Sequence, residues 1–460
     1  MNLPPGPRAM SELIKMLVQR RQHPIKLYES IFKKYGDIVY FKFGPYGFVM
    51  LNDAEATEQI LLTDAKNYTK STGYERFKLI VGNGLLVSEG DTWKKQRRLL
   101  TGVFSSKNIE KFYPIMVQES LKMMQRWKVN QEVDLAEEMN LVTLQIISFS
   151  LFGKDQFSDS KIVRSSLQEM LSYLQTTRHL WIQLLLSSFP IGNKRAKALA
   201  IEKSLPLKST KKFFGAIQNI DKLVNGMIEE RIQKGQKENL LDSLISVTDS
   251  TDQSQMNKEQ LRDEVVNLLI AGHETTANAL TWTWQQILRY PDVMKKVMEE
   301  VNSVISGETP SYEELTKLVY LKATFEESMR LFPPFWRISR RNMVPTKIKN
   351  FDIPQGTNVI ASIYTLHRNP AYWEDPLSFR PERFINSESI KKNAYIPFGA
   401  GPRSCIGAHF ATLEALTILA ICLKNTQMTL LSPEDPAYFM SLTLQPKEGC
   451  KVRIEGWTKK

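Results

Sequence analysis

The sequence predicts a mainly α-helical protein with a smaller β-rich part, an α+β fold in one domain. Helical periodicity dominates the middle of the chain, whereas short alternating runs lie towards its two ends. A composition of 42% hydrophobic and 24% charged residues is typical of a globular chain with a large core. No repeat or linker divides residues 1–460, so we expect one domain, with a β-rich part at about 37–53, 337–365 and 425–455 and an α-rich part at about 91–332 and 405–424.

Glycine and proline mark the limits of the main elements in order along the chain. An alternating segment at 37–53 turns at Gly44-Pro45-Tyr46-Gly47, which predicts a β-hairpin. The longest helical pattern runs from Asn257 to Tyr290 and is stopped by Pro291. The remaining predicted elements are a helix from about Leu315 to Phe332 that ends at Pro333-Pro334, a strand at Asn358–Ile363 and a final helix after Cys405.

Charge and cysteine content narrow the classes of function. The formal net charge of +12 fits either a well-solvated basic surface or contact with an acidic protein, an anionic membrane or nucleic acid. Three cysteines, Cys405, Cys422 and Cys450, argue against a disulfide framework and favour a reducing compartment. Because no leader and no spanning segment are visible, we expect a soluble cytoplasmic protein. The alternative is a membrane-associated form whose N-terminal anchor is missing from this chain.

One cysteine lies in a sequence suited to metal chemistry. Two glycines and a proline precede Cys405 in a rigid loop, which could bring backbone N–H groups close to the sulfur. Such donors stabilise a thiolate and tune a metal that it binds. Gly407 has no side chain, so the next helix could pack against a flat ligand, and Arg403 could pair with a carboxylate of that ligand. Cys422 and Cys450 are interpreted as small buried hydrophobic residues.

The run Phe398-Gly399-Ala400-Gly401-Pro402-Arg403-Ser404-Cys405-Ile406-Gly407 matches a family signature, Phe-x-x-Gly-x-Arg-x-Cys-x-Gly. The chain therefore resembles the cytochrome P450 family, and the resemblance covers essentially its whole length. It implies a helix-rich triangular prism in which haem b (iron protoporphyrin IX) lies between the long central helix and the helix after the ligand cysteine. It also implies that Cys405 binds the iron and that Phe398, Arg403 and Gly407 contact the haem.

Two further motifs, in the family's order, imply a structural ionic triad. Glu327-Ser328-Met329-Arg330 alone would usually be an ordinary surface ion pair at i,i+3 on a helix. A second motif, the later run Phe379-Arg380-Pro381-Glu382-Arg383-Phe384, favours a family motif over an ordinary ion pair. The resemblance implies that Glu327, Arg330 and Arg383 form a buried triad behind the haem. Since buried charges tolerate loss of a partner badly, we expect this triad to be essential for haem incorporation.

The long helix contains Ala271-Gly272-His273-Glu274-Thr275-Thr276, in which small and hydroxyl residues surround an acid. Such residues usually pack in a core, but glycine and threonine are poor helix formers, and we expect a local opening of the helix. A zinc protease would need a second histidine where Ala277 stands, so that alternative fails. The resemblance implies an oxygen-activating segment, with Thr275 and Glu274 catalytic and Ala271 beside the haem.

The haem propionates need cationic partners. Trp93 and Arg97 are four residues apart, on one face of a predicted helix, and they match a family contact. Arg340 completes the implied set with Arg403, although Arg337 or Arg341 could take its place.

The resemblance implies a haem-thiolate monooxygenase that activates O2 and hydroxylates or epoxidises a lipophilic substrate such as a fatty acid or terpenoid. The apolar lining that it implies comprises Tyr74, Phe77, Leu86, Ala271, Phe335, Trp336 and Leu442, although each alone is more often plain core. The segment Trp181–Ile191, with the basic run to Lys212, resembles a lid that could also make peripheral membrane contact. We expect a monomer without a nucleic-acid partner.

Electrons are expected from NAD(P)H through a separate acidic redox partner, either a ferredoxin, a flavodoxin or an FMN-containing reductase. Lys94 and Lys95 are candidates for the basic docking face, or else ordinary surface lysines. The alternative functions are a haem-thiolate isomerase or peroxygenase that acts on peroxides, or a non-enzymatic haem protein. The pair Glu274 and Thr275 argues against each of these.

Overall fold

Helices make up most of the fold, as the hydrophobic periodicity predicts. The computed structural model describes residues 1–9, 11–13, 16, 24–153, 160–174, 201, 204, 207–234, 239–385, 388, 390–432, 434, 437–440 and 442–458. The α-helices in this part of the chain are α1 (Pro24–Tyr35), α2 (Ala54–Glu58), α3 (Lys78–Val81), α4 (Gly90–Val103), α5 (Ser106–Glu110), α6 (Tyr113–Met124), α7 (Leu135–Phe152), α8 (Ser160–Leu174), α9 (Lys208–Lys234), α10 (Leu240–Ser246), α11 (Lys258–Arg289), α12 (Pro291–Val304), α13 (Tyr312–Thr316), α14 (Val319–Leu331), α15 (Ile363–Leu366) and α16 (Ala408–Asn425).

The long helix α11 begins and ends as its flanking residues predict. The side chain of Asn257 accepts a bond from the N–H of Gln260, and the Gln260 side chain accepts one from the N–H of Asn257. This capping box satisfies two N–H groups that a helix start leaves without partners. Tyr290 has an extended backbone because the proline that follows, Pro291, disfavours the helical conformation before it.

Both ends of the chain contribute to the main sheet. The strands in the described part of the chain are β1 (Ile38–Phe43), β2 (Tyr46–Leu51), β3 (Tyr68–Lys70), β4 (Glu132–Asp134), β5 (Arg337–Asn342), β6 (Thr346–Ile348), β7 (Phe351–Ile353), β8 (Asn358–Ser362), β9 (Thr426–Leu430), β10 (Tyr438–Met440), β11 (Leu444–Pro446) and β12 (Lys451–Trp457). The main sheet has the order β1-β2-β8-β5-β3, and within it only the pair β2–β8 is parallel. A second sheet has the order β4-β12-β9, and two separate hairpins pair β6 with β7 and β10 with β11.

The structure differs from the predicted elements in detail. The sequence does not predict β3 and β4, because three residues are too short to show an alternating pattern. The helix predicted from Leu315 to Phe332 is divided into α13 and α14, with Lys317 and Leu318 between them. The hairpin at 37–53 is present, and its strands meet at the pair Phe43 and Tyr46. The mainly α fold with smaller β-rich parts is confirmed.

The helix α11 lies at the centre of the core and packs against α7, α14 and α16. Trp282 and Trp284 on this helix are fully buried. The Trp282 ring stacks on Phe332 with centroids 4.1 Å apart, and its indole N–H donates to the carbonyl of Leu444 at 3.1 Å. Since buried tryptophans combine large apolar area with one donor that needs a partner, these contacts tie α11 to the end of α14 and to β11.

The proposed lid lies mostly outside the described residues. Trp181–Ile191 is not described, and the basic run that follows is described only in part, where Lys208–Lys212 form the start of α9. Among the helices that the structure describes, none is long and apolar enough to span a bilayer.

Candidate functional site

Cys405 ends a loop that backbone contacts hold in shape. Its N–H donates to the carbonyl of Phe398 at 2.8 Å, which bends this run into a narrow turn. Gly401, with φ of +72°, has no room for a side chain, because a Cβ there would lie 1.9 Å from the carbonyl oxygen of Leu61. The turn Gln59–Thr63 therefore presses directly on the loop before Cys405.

The sulfur of Cys405 has surroundings that the other cysteines lack. Burial of the loop raises the thiol pKa, but the N–H of Gly407 and the charge of Arg97 both lower it. The Cys405 side chain faces open space, whereas Cys422 and Cys450 are buried in the core, which raises the pKa of both thiols. A Cβ added to Gly407 would also meet nothing within 4 Å. A flat group therefore fits over the start of α16, beside the sulfur.

The protein offers a single metal ligand here, the Cys405 sulfur, which suits an iron already bound by a porphyrin. Among the described residues, no group of three or more His, Cys, Asp or Glu could hold a metal ion. A porphyrin supplies four equatorial nitrogens, so a single thiolate is sufficient as the protein ligand.

The predicted cationic residues surround the cysteine loop. Arg97 donates to the carbonyl of Ser404 at 2.9 Å, one residue before Cys405. Arg403 forms a close ion pair with Glu89, and its guanidinium lies 4.3 Å from the ring centroid of Trp93. Burial lowers the pKa of Arg403 to about 10, which leaves it charged at neutral pH.

A further cation, Lys70, is not predicted from the sequence. In the sheet register Lys70 of β3 lies opposite Arg340 of β5. Arg340 is 6% exposed, and burial lowers the pKa of both groups. Within the described residues, the negative charge of Glu89 raises the pKa of Lys70, Arg340 and Arg403, and so favours the charged form of each. Cationic side chains therefore outnumber carboxylates at this place, which suits the anionic propionates of a haem.

The strand register and the side-chain contacts also show which of Arg337, Arg340 and Arg341 lies in the cationic cluster. The Arg337 guanidinium lies 4.6 Å from the ring of Trp336, and Arg341 donates to the carbonyl of Gly356 at 3.1 Å. Arg340 is thus the arginine of this strand that joins the cationic cluster.

The predicted ionic triad lies between α14 and the turn Pro381–Phe384. Arg330 donates to both carboxylate oxygens of Glu327, at 2.6 Å and 2.8 Å, and both side chains are fully buried. Arg383 Nε lies 3.4 Å from Glu327 Oε1. The remaining donors of Arg330 reach the carbonyls of His367, Pro376 and Ser378. The structure thus brings the three residues of the predicted triad together.

The segment predicted to activate oxygen, Ala271–Thr276, is helical without interruption. The expected local opening is absent, because α11 remains an α-helix through Ala271–Thr276. The Thr275 hydroxyl donates to the carbonyl of Ala271 at 2.8 Å, in the preceding turn of the same helix. The hydroxyl is therefore satisfied without a break in the helix. The Ala271 side chain is exposed although most of its helix is buried.

Glu274 does not point to the same place as Thr275. Its carboxylate accepts bonds from Thr443, at 2.8 Å, and from Gln445, both at the hairpin of β10 and β11. Burial raises the pKa of Glu274, and these two bonds oppose that effect. The sequence places Glu274 in the segment but gives no signal of these distant partners.

The candidate pocket residues fall into two groups. Tyr74, Phe77, Leu86 and Leu442 pack with the core cluster that includes α11. Trp336 belongs to a different cluster and lies edge-on to Tyr28 with centroids 5.4 Å apart. Phe335, the neighbouring residue, is 36% exposed. Trp336 thus packs against α1, in a cluster that α11 reaches through Trp282 and that is separate from the one around Tyr74 and Phe77.

The two lysines expected on a docking face are paired within the chain. Lys94 Nζ lies 2.9 Å from Asp91, and Lys95 Nζ lies 3.0 Å from Asp252. Arg98, on the same helix, pairs with buried Asp249. The pairs of Lys95 and Arg98 join α4 to the loop before α11, whereas Lys94 pairs within its own helix.

Comparison with known proteins agrees with this geometry. A family model described as Cytochrome P450 matches residues 4–453. Cyclooctatin synthase of Streptomyces melanosporofaciens is 29% identical over 90% of this chain and 88% of its own length. Cyclooctat-9-en-7-ol 5-monooxygenase of the same organism is 27% identical over 87% of this chain and 84% of its own length. A bifunctional cytochrome P450/NADPH–P450 reductase of Bacillus cereus is 28% identical over 98% of this chain and 42% of its own length.

The match to the family model spans nearly all of the chain, and the loop with Cys405 lies within it. An enzyme of this family uses haem and O2, needs a redox partner and oxidises a lipophilic substrate. This protein belongs to the cytochrome P450 family and is a monooxygenase.

Proposed function

We propose that Cys405 is the proximal ligand of a haem iron and that the enzyme hydroxylates or epoxidises a fatty acid or terpenoid. The observation that carries this proposal is the accessible Cys405 sulfur, with the N–H of Gly407 and the charge of Arg97 beside it. Backbone donors and a nearby cation are what a thiolate needs to persist as an iron ligand.

The residues that would hold the haem lie around this sulfur. Lys70, Arg340 and Arg403 would take the propionates, with Arg97 and Trp93 at the same edge. Ala271, Phe398 and Gly407 would contact the macrocycle, since the structure leaves space beside Ala271 and Gly407. When bound, the haem supplies the activation of O2, and a thiolate ligand favours cleavage of the O–O bond.

Thr275 would hold a proton-donating water near Ala271. Its hydroxyl hydrogen is directed to the Ala271 carbonyl, so its oxygen is available to accept a bond from water. The Glu274 carboxyl is nearly excluded from solvent, and this burial raises its pKa. Glu274 would therefore hold a proton that it can donate. To join that water, its carboxyl would leave Thr443 and Gln445.

The substrate would bind against the aromatic and aliphatic side chains that pack with α11, namely Tyr74, Phe77, Leu86 and Leu442. The name of one relative, cyclooctat-9-en-7-ol 5-monooxygenase, supports insertion of one oxygen atom into an organic substrate. Phe335 is a further candidate for the entrance, since it is partly exposed.

Electrons would come from NADPH through an acidic flavin-containing reductase, or through a ferredoxin or flavodoxin. The Bacillus cereus relative carries an NADPH–P450 reductase in its name, and the net charge of +12 favours an acidic partner. Lys94 and Lys95 are not proposed as the main docking charges, because each is paired with an aspartate of this chain.

Replacing Cys405 tests the ligand and the reaction together. We expect the reduced carbonyl complex of the wild type to show the long-wavelength Soret band of a thiolate haem, and Cys405→Ser to lose it. Cys422→Ser is the matched control and should keep the band. NADPH consumption that matches product formation, with a substrate found by its Soret shift, would separate a monooxygenase from an isomerase, a peroxygenase or a haem carrier. Retention of the band in Cys405→Ser would exclude the proposed ligand.

A further inference from the structure

Glu89, the residue before α4, does not use its side chain to cap that helix. A polar side chain at this position often accepts bonds from the first N–H groups of the helix. Among the described residues the Glu89 side chain makes no such bond, although its backbone is extended as in a cap. Its Oε1 instead accepts from the backbone N–H of Lys70, at 2.7 Å, and its Oε2 forms a close ion pair with Arg403. Both oxygens are thus held against the cationic cluster beside the cysteine loop.

The cations around this carboxylate lie close together. Lys70 is opposite Arg340 in the strand register, and burial together with the charges of Arg340 and Arg403 lowers the pKa of Lys70. The side chain of Arg403 is 13% exposed, so water screens these like charges only in part. The negative charge of Glu89 opposes their repulsion, and Glu89 is thus a counter-ion of the whole cluster.

A haem propionate is also a carboxylate, and it would use the same cations. Glu89 is held in place beside them, because the N–H of Lys70 binds one of its oxygens and Arg403 binds the other. Arg403 Nη1 also donates to the carbonyl of Ser88 at 2.9 Å, which fixes the guanidinium beside the start of α4. Two carboxylates that share one cation repel each other, and each reduces what the other gains from that cation.

We propose that Glu89 competes with the haem propionates for the positive charge of Arg403, and so weakens haem binding and lowers the reduction potential of the haem. This inference rests on the proposed function, in which Arg403 and its neighbouring cations take the propionates. Reduction adds one electron to the haem, and a fixed negative charge nearby makes that addition less favourable. Because Glu89 acts through Arg403, it is a positioning residue.

A haem without charged propionates separates competition from a structural role. Iron protoporphyrin IX and its dimethyl ester would each be bound to wild type, Glu89→Gln and Glu89→Asp, and the rate of haem transfer to excess apomyoglobin would be measured. Glutamine has the size of glutamate and can accept the bond from Lys70 but carries no charge, whereas aspartate keeps the charge. Asp91→Asn is the matched control, because it removes a carboxylate that pairs with Lys94 at the same helix start.

We expect Glu89→Gln to slow the loss of iron protoporphyrin IX about threefold to fivefold, the range of a partly exposed ion pair. Loss of the dimethyl ester should be the same in wild type and Glu89→Gln, because the ester has no charge with which Glu89 competes. Glu89→Asp and Asp91→Asn should stay within about twofold of the wild type with both haems.

Two results would overturn the inference. Faster loss of both haems from Glu89→Gln would show that Glu89 only holds the fold around Arg403 together. Equal loss of iron protoporphyrin IX from wild type and Glu89→Gln would show that the two carboxylates do not compete.

The reduction potential gives a second measurement, which a merely structural role would not move in this direction. At one applied potential, the ratio of reduced to oxidised haem should rise about twofold to threefold in Glu89→Gln, since a negative charge near the haem is removed. An unchanged or lower ratio would contradict the inference.

The carbonyl complex of the wild type tests the proposed function separately. If it lacks the long-wavelength Soret band, Cys405 fails as the ligand, and the transfer rates still decide on Glu89. If the band is present but the transfer rates of wild type and Glu89→Gln do not differ, the proposed function stands and the competition fails.

Discussion

The buried carboxyl group of α14 has different partners from those of α11 and α16. On α14, Glu327 accepts two bonds from Arg330 and one from the N–H of Arg380, at 2.9 Å, and it faces Arg383 as well. On α11 and α16, Glu264 has one oxygen without a partner, and both oxygens of Glu414 lack one within the described residues. The charge of Glu327 is thus fully paired, whereas Glu264 and Glu414 have few partners.

The difference follows from the charge state of each group. An ionised carboxylate can be buried only with cations and donors around it, which is the situation of Glu327. Burial raises the pKa of Glu264 and Glu414, which favours the uncharged form of each, and an uncharged carboxyl needs fewer partners. The triad around Glu327 is therefore held by paired charges, whereas Glu264 and Glu414 are acids for which burial favours the neutral form.

The largest expected effect is loss of the triad. Glu327→Ala leaves Arg330 buried without its carboxylate, which should destabilise the fold by about 3–5 kcal/mol and abolish haem incorporation. Urea unfolding and the ratio of haem to protein would measure both effects. Glu299→Ala removes an exposed i,i+4 partner of Lys295 as the control and should change stability by less than about 0.5 kcal/mol. Equal stability of the two variants would contradict the contrast drawn between the two regions.

The next effect is acid sensitivity of the triad region. His367 accepts from the N–H of Ile396 at 2.9 Å, and burial together with the charge of Arg330 lowers its pKa to about 3. An unfolded histidine titrates near pH 6.5, so the unfolded chain binds more protons between about pH 6.5 and 3. Stability from this group is therefore complete above about pH 6.5 and is lost as pH falls.

His367→Gln should remove part of that acid sensitivity, at some cost in stability at pH 7. Thermal melting between pH 4 and 7 would show it as a flatter curve for the variant. His409→Gln, at an exposed position, serves as the control and should follow the wild type. If the melting temperature of His367→Gln fell with pH as steeply as that of the wild type, this histidine would be excluded as the source of the acid sensitivity.

Glu264 on α11 should show the opposite pH dependence. Glu264 holds its proton up to about pH 8 when folded, against an ordinary value of 4.5. The folded chain then binds more protons between these values, so stability falls as pH rises from about 4.5 to 8. Glu264→Gln stays uncharged and should be more stable than the wild type at pH 8 by about 1 kcal/mol or more. Melting temperatures at pH 5 and pH 8 would reveal this, and an unchanged difference between wild type and variant would count against a buried neutral acid.

The smallest expected effect concerns coupling rather than stability. Thr275→Ala should leave haem binding and substrate affinity nearly intact but lower product per NADPH several-fold, with electrons diverted to hydrogen peroxide. Thr276 lies about 100° further around the helix and is 3% exposed, so Thr276→Ala should change coupling much less. Peroxide and product yields of both variants decide the matter. Equal coupling in wild type and Thr275→Ala would remove the proposed role of the hydroxyl.

Much of this enzyme is predictable from local sequence. The loop around Cys405, the limits of α11 and the partners Glu327 and Arg330 depend on residues close together in the chain. Glycines in turns, helix caps and side-chain pairs at i,i+3 involve residues only a few positions apart. Their patterns can therefore be recognised in the sequence without knowledge of the fold. Family resemblance adds the distant member Arg383, which local spacing alone does not indicate.

Other features exist only in the tertiary structure. The pairing of Lys70 with Arg340 depends on the register of two strands that are far apart in the chain, and no local pattern indicates it. The direction of Glu274 depends on Thr443 and Gln445, which lie far along the chain on another hairpin. The sequence by itself determined which chemical groups are present and which helices and loops carry them. The tertiary structure decided which groups meet, because side-chain direction and burial are properties of packed neighbours, and packing joins residues that the chain order separates.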